Sequence, residues 1–256
     1  MSASTRTQIT ATAVCIVAAA GVAIAAGVTH PGAAGAATAG GLPQGGEVVQ
    51  LNPADFTVNI TNPYFPMAPG NRWVYVEREP GHTSRVVMTV TDETKRIANG
   101  ITARVVRDVV SEGKELVEVT DDWYAQDKDG NVWYLGEATT EYVNGKPATT
   151  KGSFEAGVNG AQAGVAMPAK PVQGLSYRQE FSRGQAEDSA VVLAVREQAQ
   201  VPFGHFRNVL VTKDLNGLKL KFVEYKLYAR GVGPVMTLGI SGTRVREELI
   251  RFSKRQ

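Results

Sequence analysis

The chain has 256 residues and a formal net charge of +2, from 27 basic and 25 acidic residues. Hydrophobic residues make up 43% of it and charged residues 20%, which is the composition of an ordinary globular protein with a buried core. A chain this close to neutral has no strong field to attract phosphate backbones, so nucleic acid is excluded as an expected partner.

Residues 1–30 are predicted to be a signal peptide. Arg6 is the one charged residue before an apolar run over residues 11–28, and small residues follow this run. This layout is typical of secretory signals and predicts a secreted or cell-envelope protein. The alternative is a membrane anchor formed by residues 11–28, because the run approaches the length that spans a bilayer. Cys15, the one cysteine, lies in the run, so the cleaved chain would form no disulfide.

The rest of the chain divides into two parts. Residues 31–50 are mostly small residues and are predicted to be a flexible Gly/Ala spacer. Residues 51–256 are predicted to form a single β domain, because short segments rich in Val, Ile, Thr, Tyr and Trp alternate with turn signals. The predicted strands are 72–79, 85–91, 101–110, 116–125, 131–136, 177–181, 190–201, 206–213, 218–228, 235–240 and 245–252.

These strands predict an all-β fold, a single large antiparallel meander that forms a strongly curved sheet or a partly open barrel. A β-sandwich is the alternative. Within 218–228 the apolar residues change phase after Phe222, which predicts a β-bulge. Residues 152–174 are too rich in Gly for a stable helix and too irregular for a strand. They are predicted to form a long loop, either functional or a cover over an open sheet end.

Five short phrases stand out in the β domain. They are NPYFP at 62–66, DWYAQD at 122–127, GNVWYLGE at 130–137, GSFEAG at 152–157 and YARGVG at 228–233. Together they resemble a group of secreted β-rich proteins of high-GC Gram-positive bacteria. The last phrase is also similar to the closing segment of exported proteins with curved sheets like those of lipoprotein carriers. The resemblance implies a fold and a compartment, and it brings no activity or catalytic residues.

Aromatic residues that could line a concave apolar face are the candidates for ligand binding. The alternative is that they fill the core. Two aromatic residues that are adjacent in a strand point to opposite faces of the sheet, so aromatic groups are expected on both faces. The candidate ligand-binding residues are Trp123, Tyr124, Trp133, Tyr134, Phe154, Tyr177 and Phe181.

Carboxylates supply the candidates for catalysis, because paired acids at one rim of the sheet could support hydrolysis. Exposed acids at strand ends are, however, commonplace. The candidate catalytic residues are Asp122, Glu155, Glu180, Glu187 and Asp188.

No cofactor is expected, and the alternative is a bound calcium ion. The candidate metal ligands Asp121, Asp127 and Asp129 lie close in sequence and offer the oxygen atoms that calcium prefers. Gly130, however, is fourth rather than sixth in this stretch, and a strand follows at once, which favours an ordinary hairpin turn.

Three functions fit these observations. The first is an exported or cell-envelope binding protein, non-catalytic, for an apolar or amphiphilic small molecule. The second is an exported carboxylate-dependent hydrolase, assisted by calcium. The third is a structural envelope module without a ligand. The expected partner is an apolar small molecule or a cell-envelope component, and a membrane is contacted only through an uncleaved N-terminal segment.

Overall fold

The computed structural model describes residues 41–255. The predicted signal peptide and the first half of the predicted spacer, residues 31–40, lie outside the described residues. Residues 41–255 contain one 3-10 turn, Pro53–Asp55, and no helix in this range is long and apolar enough to cross a membrane. The strands are β1 (Phe56–Thr57), β2 (Arg72–Glu79), β3 (His82–Arg96), β4 (Thr102–Glu112), β5 (Glu115–Asp127), β6 (Val132–Val143), β7 (Lys146–Thr149), β8 (Phe154–Glu155), β9 (Gln162–Met167), β10 (Ser176–Ser182), β11 (Ala186–Val201), β12 (Gly204–Asn216), β13 (Val223–Ala229), β14 (Gly233–Ser241) and β15 (Arg246–Ser253).

Twelve of these strands form a closed antiparallel barrel. Their order is β5-β4-β3-β2-β15-β14-β13-β12-β11-β10-β9-β6, and the pairing of β5 with β6 closes the ring. The short strand β1 pairs with β5, whereas β7 and β8 pair with β6. The predicted all-β, strongly curved antiparallel fold is therefore confirmed, and the sheet closes completely.

Tight turns set the register of several hairpins. Between β6 and β7, Asn144 and Gly145 have φ angles of 52° and 73°. Two successive positive φ angles give the turn whose twist matches that of antiparallel strands, and Asn-Gly is the sequence that adopts them most readily.

The structure differs from the sequence prediction in two places. The stretch 152–174 contains β8 and β9, and β9 completes the barrel between β6 and β10. Glycine suits this strand, because a Cβ atom on Gly164 would overlap the carbonyl oxygen of Gln179 on β10. In the predicted strand 218–228, residues 217–222 instead form the connection to β13. The phase change after Phe222 therefore marks the start of β13, where the pairing with β14 shifts register.

The two ends of the barrel are closed differently. One end, here called the hairpin end, carries the connections β2–β3, β4–β5, β10–β11, β12–β13 and β14–β15. At the other, the plugged end, the phrase NPYFP crosses the opening. The Phe65 ring lies edge-on to Tyr124 at 5.3 Å, and Asn62 Nδ2 donates to the carbonyl oxygens of Gly130 and Pro168. This phrase therefore has a structural role, which is to seal the barrel.

Candidate functional site

A small cavity inside the barrel shows which side chains point inward. Its volume is about 20 Å³, and its lining comes from strands on opposite sides of the ring. The lining residues are Phe65, Met88, Asp122, Tyr124, Ala166, Gln179, Lys226, Tyr228 and Pro234. Since side chains alternate along a strand, residues two positions away from these on the regular strands also point inward.

The inward-facing side chains divide the interior into two halves. Toward the plugged end they are apolar and aromatic, and they include Trp73, Tyr75, Val90, Tyr124, Tyr134, Tyr177, Leu210 and Tyr228. Toward the hairpin end, ten buried side chains are carboxylic acids, and we call this region the acidic half. They are Glu77, Asp108, Glu118, Asp122, Glu137, Glu180, Asp188, Asp214, Glu224 and Glu247.

Lys226 is the basic side chain among these acids. Its Nζ lies 3.2 Å from Oδ2 of Asp214, and both side chains are more than nine-tenths buried. Burial lowers the pKa of Lys226, but the charges of Asp214, Tyr228 and Glu224 together with the hydrogen bond to Asp214 outweigh it and raise that pKa above its ordinary value. The other buried basic residues of the described range serve elsewhere. Arg104 donates to carbonyls of β3, and Arg178 donates to carbonyls of β9 and of the segment before β1.

The remaining acids of the acidic half are poorly compensated. Four of them keep a buried carboxyl oxygen without a hydrogen-bond partner within residues 41–255, namely Asp108, Glu180, Asp188 and Glu247. Burial, together with neighbouring carboxylates, raises the pKa of Asp108, Glu180 and Glu247 well above the ordinary range. Burial and Glu247 raise the pKa of Glu77 to about 10, and burial and Glu141 raise that of Glu118 to about 7. The acidic half is therefore largely protonated at neutral pH.

One tyrosine joins two of the acids. The hydroxyl of Tyr134 lies 2.7 Å from Oδ1 of Asp122 and 2.7 Å from Oε2 of Glu137. A hydroxyl carries a single proton, so it donates a hydrogen bond to one carboxylate and accepts a hydrogen bond from the other, protonated carboxyl group. Burial and the charge of Asp122 raise the pKa of Glu137 well above the ordinary range, which favours the protonated form of Glu137.

A second cavity of about 20 Å³ lies at the hairpin end, and we call it the mouth. Its lining residues are Asp188, Asp214, Leu215, Asn216, Phe222, Glu224 and Lys226. Leu215 and Phe222 are half-buried, so the mouth reaches the surface. Since Lys226 is paired with Asp214, Asp188 and Glu224 face the mouth without an ion pair of their own within the described range.

The candidate catalytic residues separate into two groups. Asp122, Glu180 and Asp188 lie in the acidic half, and Glu180 is opposite Asp188 in the pairing of β10 with β11. Glu155 lies apart from them, where it binds Lys95 at 2.9 Å and accepts a hydrogen bond from the Ala98 amide. Glu187 points out of the barrel and accepts a hydrogen bond from the Gly184 amide.

The candidate ligand-binding residues also separate. Tyr124, Tyr134 and Tyr177 point into the barrel. The others make contacts of several kinds. Trp123 lies under Lys95 at 4.0 Å, Trp133 donates to Asp127, Phe154 lies edge-on to Tyr134 at 5.6 Å, and Phe181 packs against Gly46.

Two of the three candidate calcium ligands, Asp121 and Asp127, have their carboxylates engaged within the protein. Asp121 forms a two-point ion pair with Arg107, at 2.7 and 2.8 Å. Asp127 accepts hydrogen bonds from the Asp129 and Asn131 amides and from two side chains, as in a hairpin turn. Within residues 41–255, no group of three or more His, Cys, Asp or Glu side chains is arranged to hold a metal ion.

Sequence reasoning missed most of the acidic half. Glu224 and Lys226 lie on β13, and Asp214 lies opposite Glu224 on β12. In the sequence these residues appear as a charged residue at every second position, and the positions between them hold apolar or aromatic residues such as Tyr225 and Leu227. Such a strand is normally read with its charged side toward solvent. Only the closed ring shows that the charged side faces the interior.

No family model matches the sequence, and no curated protein matches it. Two solved structures are similar to the chain. One is a candidate exported protein with a YmcC-like fold from Bacteroides fragilis, at 14% identity and a TM-score of 0.44, covering 75% of this chain and 99% of that one. The other is a candidate lipoprotein from Parabacteroides distasonis, at 14% identity and a TM-score of 0.36, covering 74% and 98%. Similarity at this level assigns neither a ligand nor an activity.

Proposed function

We propose that the protein is an exported, non-catalytic binding protein of the cell envelope, and that its ligand is an amphiphilic small molecule carrying a primary ammonium group. The observation that carries this proposal is the mouth, where Asp188 and Glu224 face a surface cavity and the one lysine is already paired. The signal-peptide pattern of residues 1–30 supports export.

The size and lining of the mouth favour this kind of group. A cavity of about 20 Å³ holds about one water molecule, and an ammonium group is of similar size. A larger ligand would place only its cationic end inside. The half-buried Leu215 and Phe222 at the rim offer apolar surface for the carbon atoms next to that end.

Proton release would accompany binding. Burial raises the pKa of Glu224 and, more strongly, that of Asp188, because burial disfavours their charged forms. A cation that enters the mouth favours those charged forms and so displaces protons. An alkylammonium group itself stays charged to about pH 10. The affinity is therefore expected to increase as the pH rises.

The hydrolase alternative has less support. The acids Asp122 and Glu137 are paired through the Tyr134 hydroxyl, and paired acids are what acid–base catalysis uses, but the adjacent inner cavity of about 20 Å³ admits no more than about one water. Cleavage of a substrate requires that its scissile bond reach both carboxyl groups.

The test compares decylamine with decanol, which differ in the cationic group, by titration calorimetry on the protein purified from its own culture medium. We expect decylamine to bind and decanol to bind at least about tenfold more weakly. Glu224→Gln should weaken decylamine binding by a similar factor. Glu187→Gln, on the outside of the barrel, is the matched control and should leave it unchanged.

Native mass spectrometry of the same preparation provides a second readout. A bound mass that is lost on denaturation and that contains an amine would identify the natural ligand. Equal binding of decylamine and decanol would refute the ammonium site, and a clean apo mass without binding of either compound would favour the structural-module alternative.

A further inference from the structure

The surface next to the mouth combines exposed apolar and basic side chains. Leu220, in the connection between β12 and β13, is 85% exposed, and Ile240, at the end of β14, is 49% exposed. The two positions are neighbours, because a Cβ atom on Gly242 would lie 2.6 Å from the carbonyl oxygen of Lys221. A large aliphatic side chain that is almost fully exposed costs free energy in water unless it meets another surface.

Basic residues surround these two side chains. Lys219 and Lys221 flank Leu220 in sequence, and Arg244 lies in the connection between β14 and β15. Lys151 is also near, because burial and the charge of Lys151 both lower the pKa of Lys219. None of the four basic side chains forms an ion pair within residues 41–255, although the Lys219 ammonium lies 4.8 Å from the centre of the Phe222 ring. We call Lys151, Lys219, Leu220, Lys221, Ile240 and Arg244 the basic apolar rim.

We propose that the basic apolar rim is a docking surface for a bilayer that contains anionic lipid, with Leu220 and Ile240 inserted among the lipid headgroups. Exposed aliphatic side chains flanked by unpaired Lys and Arg have the chemistry of peripheral membrane contacts, because the apolar part enters the interface and the cations meet the negative surface. The rim therefore places the mouth at the membrane surface.

A bilayer fits the rim better than a protein partner does. Leu220 projects from the connection between β12 and β13 and is 85% exposed, whereas protein interfaces are built around flat or concave apolar patches with packed centres. Of the nearby acids, Asp188 and Glu224 are buried inside the barrel, whereas Glu79, which accepts a hydrogen bond from the Thr243 hydroxyl, and Glu187 are half-buried. The opposite end of the barrel provides a control, because Val172 lies there and is 58% exposed.

The experiment places an environment-sensitive fluorophore on the rim. The full chain carrying Cys15→Ser and Leu220→Cys is labelled with nitrobenzoxadiazole and mixed with vesicles of phosphatidylcholine alone or with 30% phosphatidylglycerol. The control chain carries Cys15→Ser and Val172→Cys. Because the readout is local to one residue, it is independent of any binding through the N-terminal segment. Leu220, Lys221 and Val172 are exposed and Lys219 is half-buried, and an unchanged denaturation midpoint confirms that each variant folds.

The expected result is a blue shift of the residue 220 probe with phosphatidylglycerol vesicles, no shift with phosphatidylcholine alone, and no shift at residue 172. Lys219→Gln and Lys221→Gln should each raise the lipid concentration at half-maximal shift about fivefold. The same emission at residue 220 with and without vesicles would overturn the proposal. An equal shift at both probes, or a shift that the two lysine variants leave unchanged, would overturn it as well. None of these outcomes depends on whether the mouth binds an amine.

Discussion

At the scale of single residues, Lys226 holds the acidic half together. It is the one buried cation among ten inward-facing acids in the described range, and its ion pair with Asp214 is almost wholly shielded from solvent. Desolvating both charges costs several kcal/mol per ion, which their mutual attraction offsets only while both partners are present. Removing one partner therefore leaves a charge that neither water nor protein compensates.

We predict that Lys226→Met lowers the free energy of unfolding at pH 7 by about 3–5 kcal/mol. The loss should be partly reversed when Asp214→Asn is added, because the orphaned carboxylate is then removed. Urea denaturation followed by circular dichroism measures both values. Lys213→Met, on the outer face of β12, is the matched control, with an expected change within about 0.5 kcal/mol. A loss at Lys226 no larger than the loss at Lys213 would contradict the structural role of the ion pair.

At the scale of elements, β9 is the strand on which closure depends. It has six residues, it joins β6 to β10, and it lies so close to β10 that Gly164 has no room for a side chain. A methyl group at this position cannot be accommodated by rotating a side chain, because the obstacle is the backbone of β10.

We predict that Gly164→Ala lowers the free energy of unfolding by about 3 kcal/mol or more, since one of the two strands must move. Gly204→Ala, at the start of β12, is the control. No atom lies within 4 Å of the Cβ it would add, so its effect should stay within about 1 kcal/mol and could be stabilising. Equal denaturation midpoints for the two variants would show that β9 does not lie against β10 as described.

The sequence predicts the elements better than the site, for a physical reason. β2 is predicted at residues 72–79, as observed, because Pro80-Gly81 ends it and its apolar pattern is plain. The strand β9 is missed because it is rich in Gly and Ala, which allow its backbone to lie close to β10 but have low β-propensity. The acidic half is missed because a charged residue at every second position predicts a solvent-facing surface, and closure through the pairing of β5 with β6 is a long-range contact that no local pattern contains.

At the scale of the whole molecule, the barrel combines a sealed apolar half with an acidic half in which one lysine cannot neutralise ten carboxyl groups. The remaining carboxyl groups avoid a buried negative charge by binding protons. Because carboxyl groups in this half bind protons more tightly in the folded state than in the unfolded chain, the folded state retains protons over a pH range in which the unfolded chain has lost them. Stability must then fall as the pH rises, which is the opposite of the usual behaviour of salt-bridged acids.

Glu118 gives this pH dependence a defined window. Burial and the charge of Glu141 raise its pKa from 4.5 to about 7, so its unfavourable contribution begins near pH 4.5 and is complete somewhat above pH 7. We predict that Glu118→Gln stabilises the protein by about 3 kcal/mol at pH 8 and leaves it nearly unchanged at pH 4. Urea denaturation midpoints at pH 4, 6 and 8 measure this difference, with Glu187→Gln, outside the barrel, as the control. A wild-type midpoint that increases between pH 5 and pH 8 would mean that the acidic half is ionised and compensated in the folded protein, and a bound cation would then be the first partner to seek.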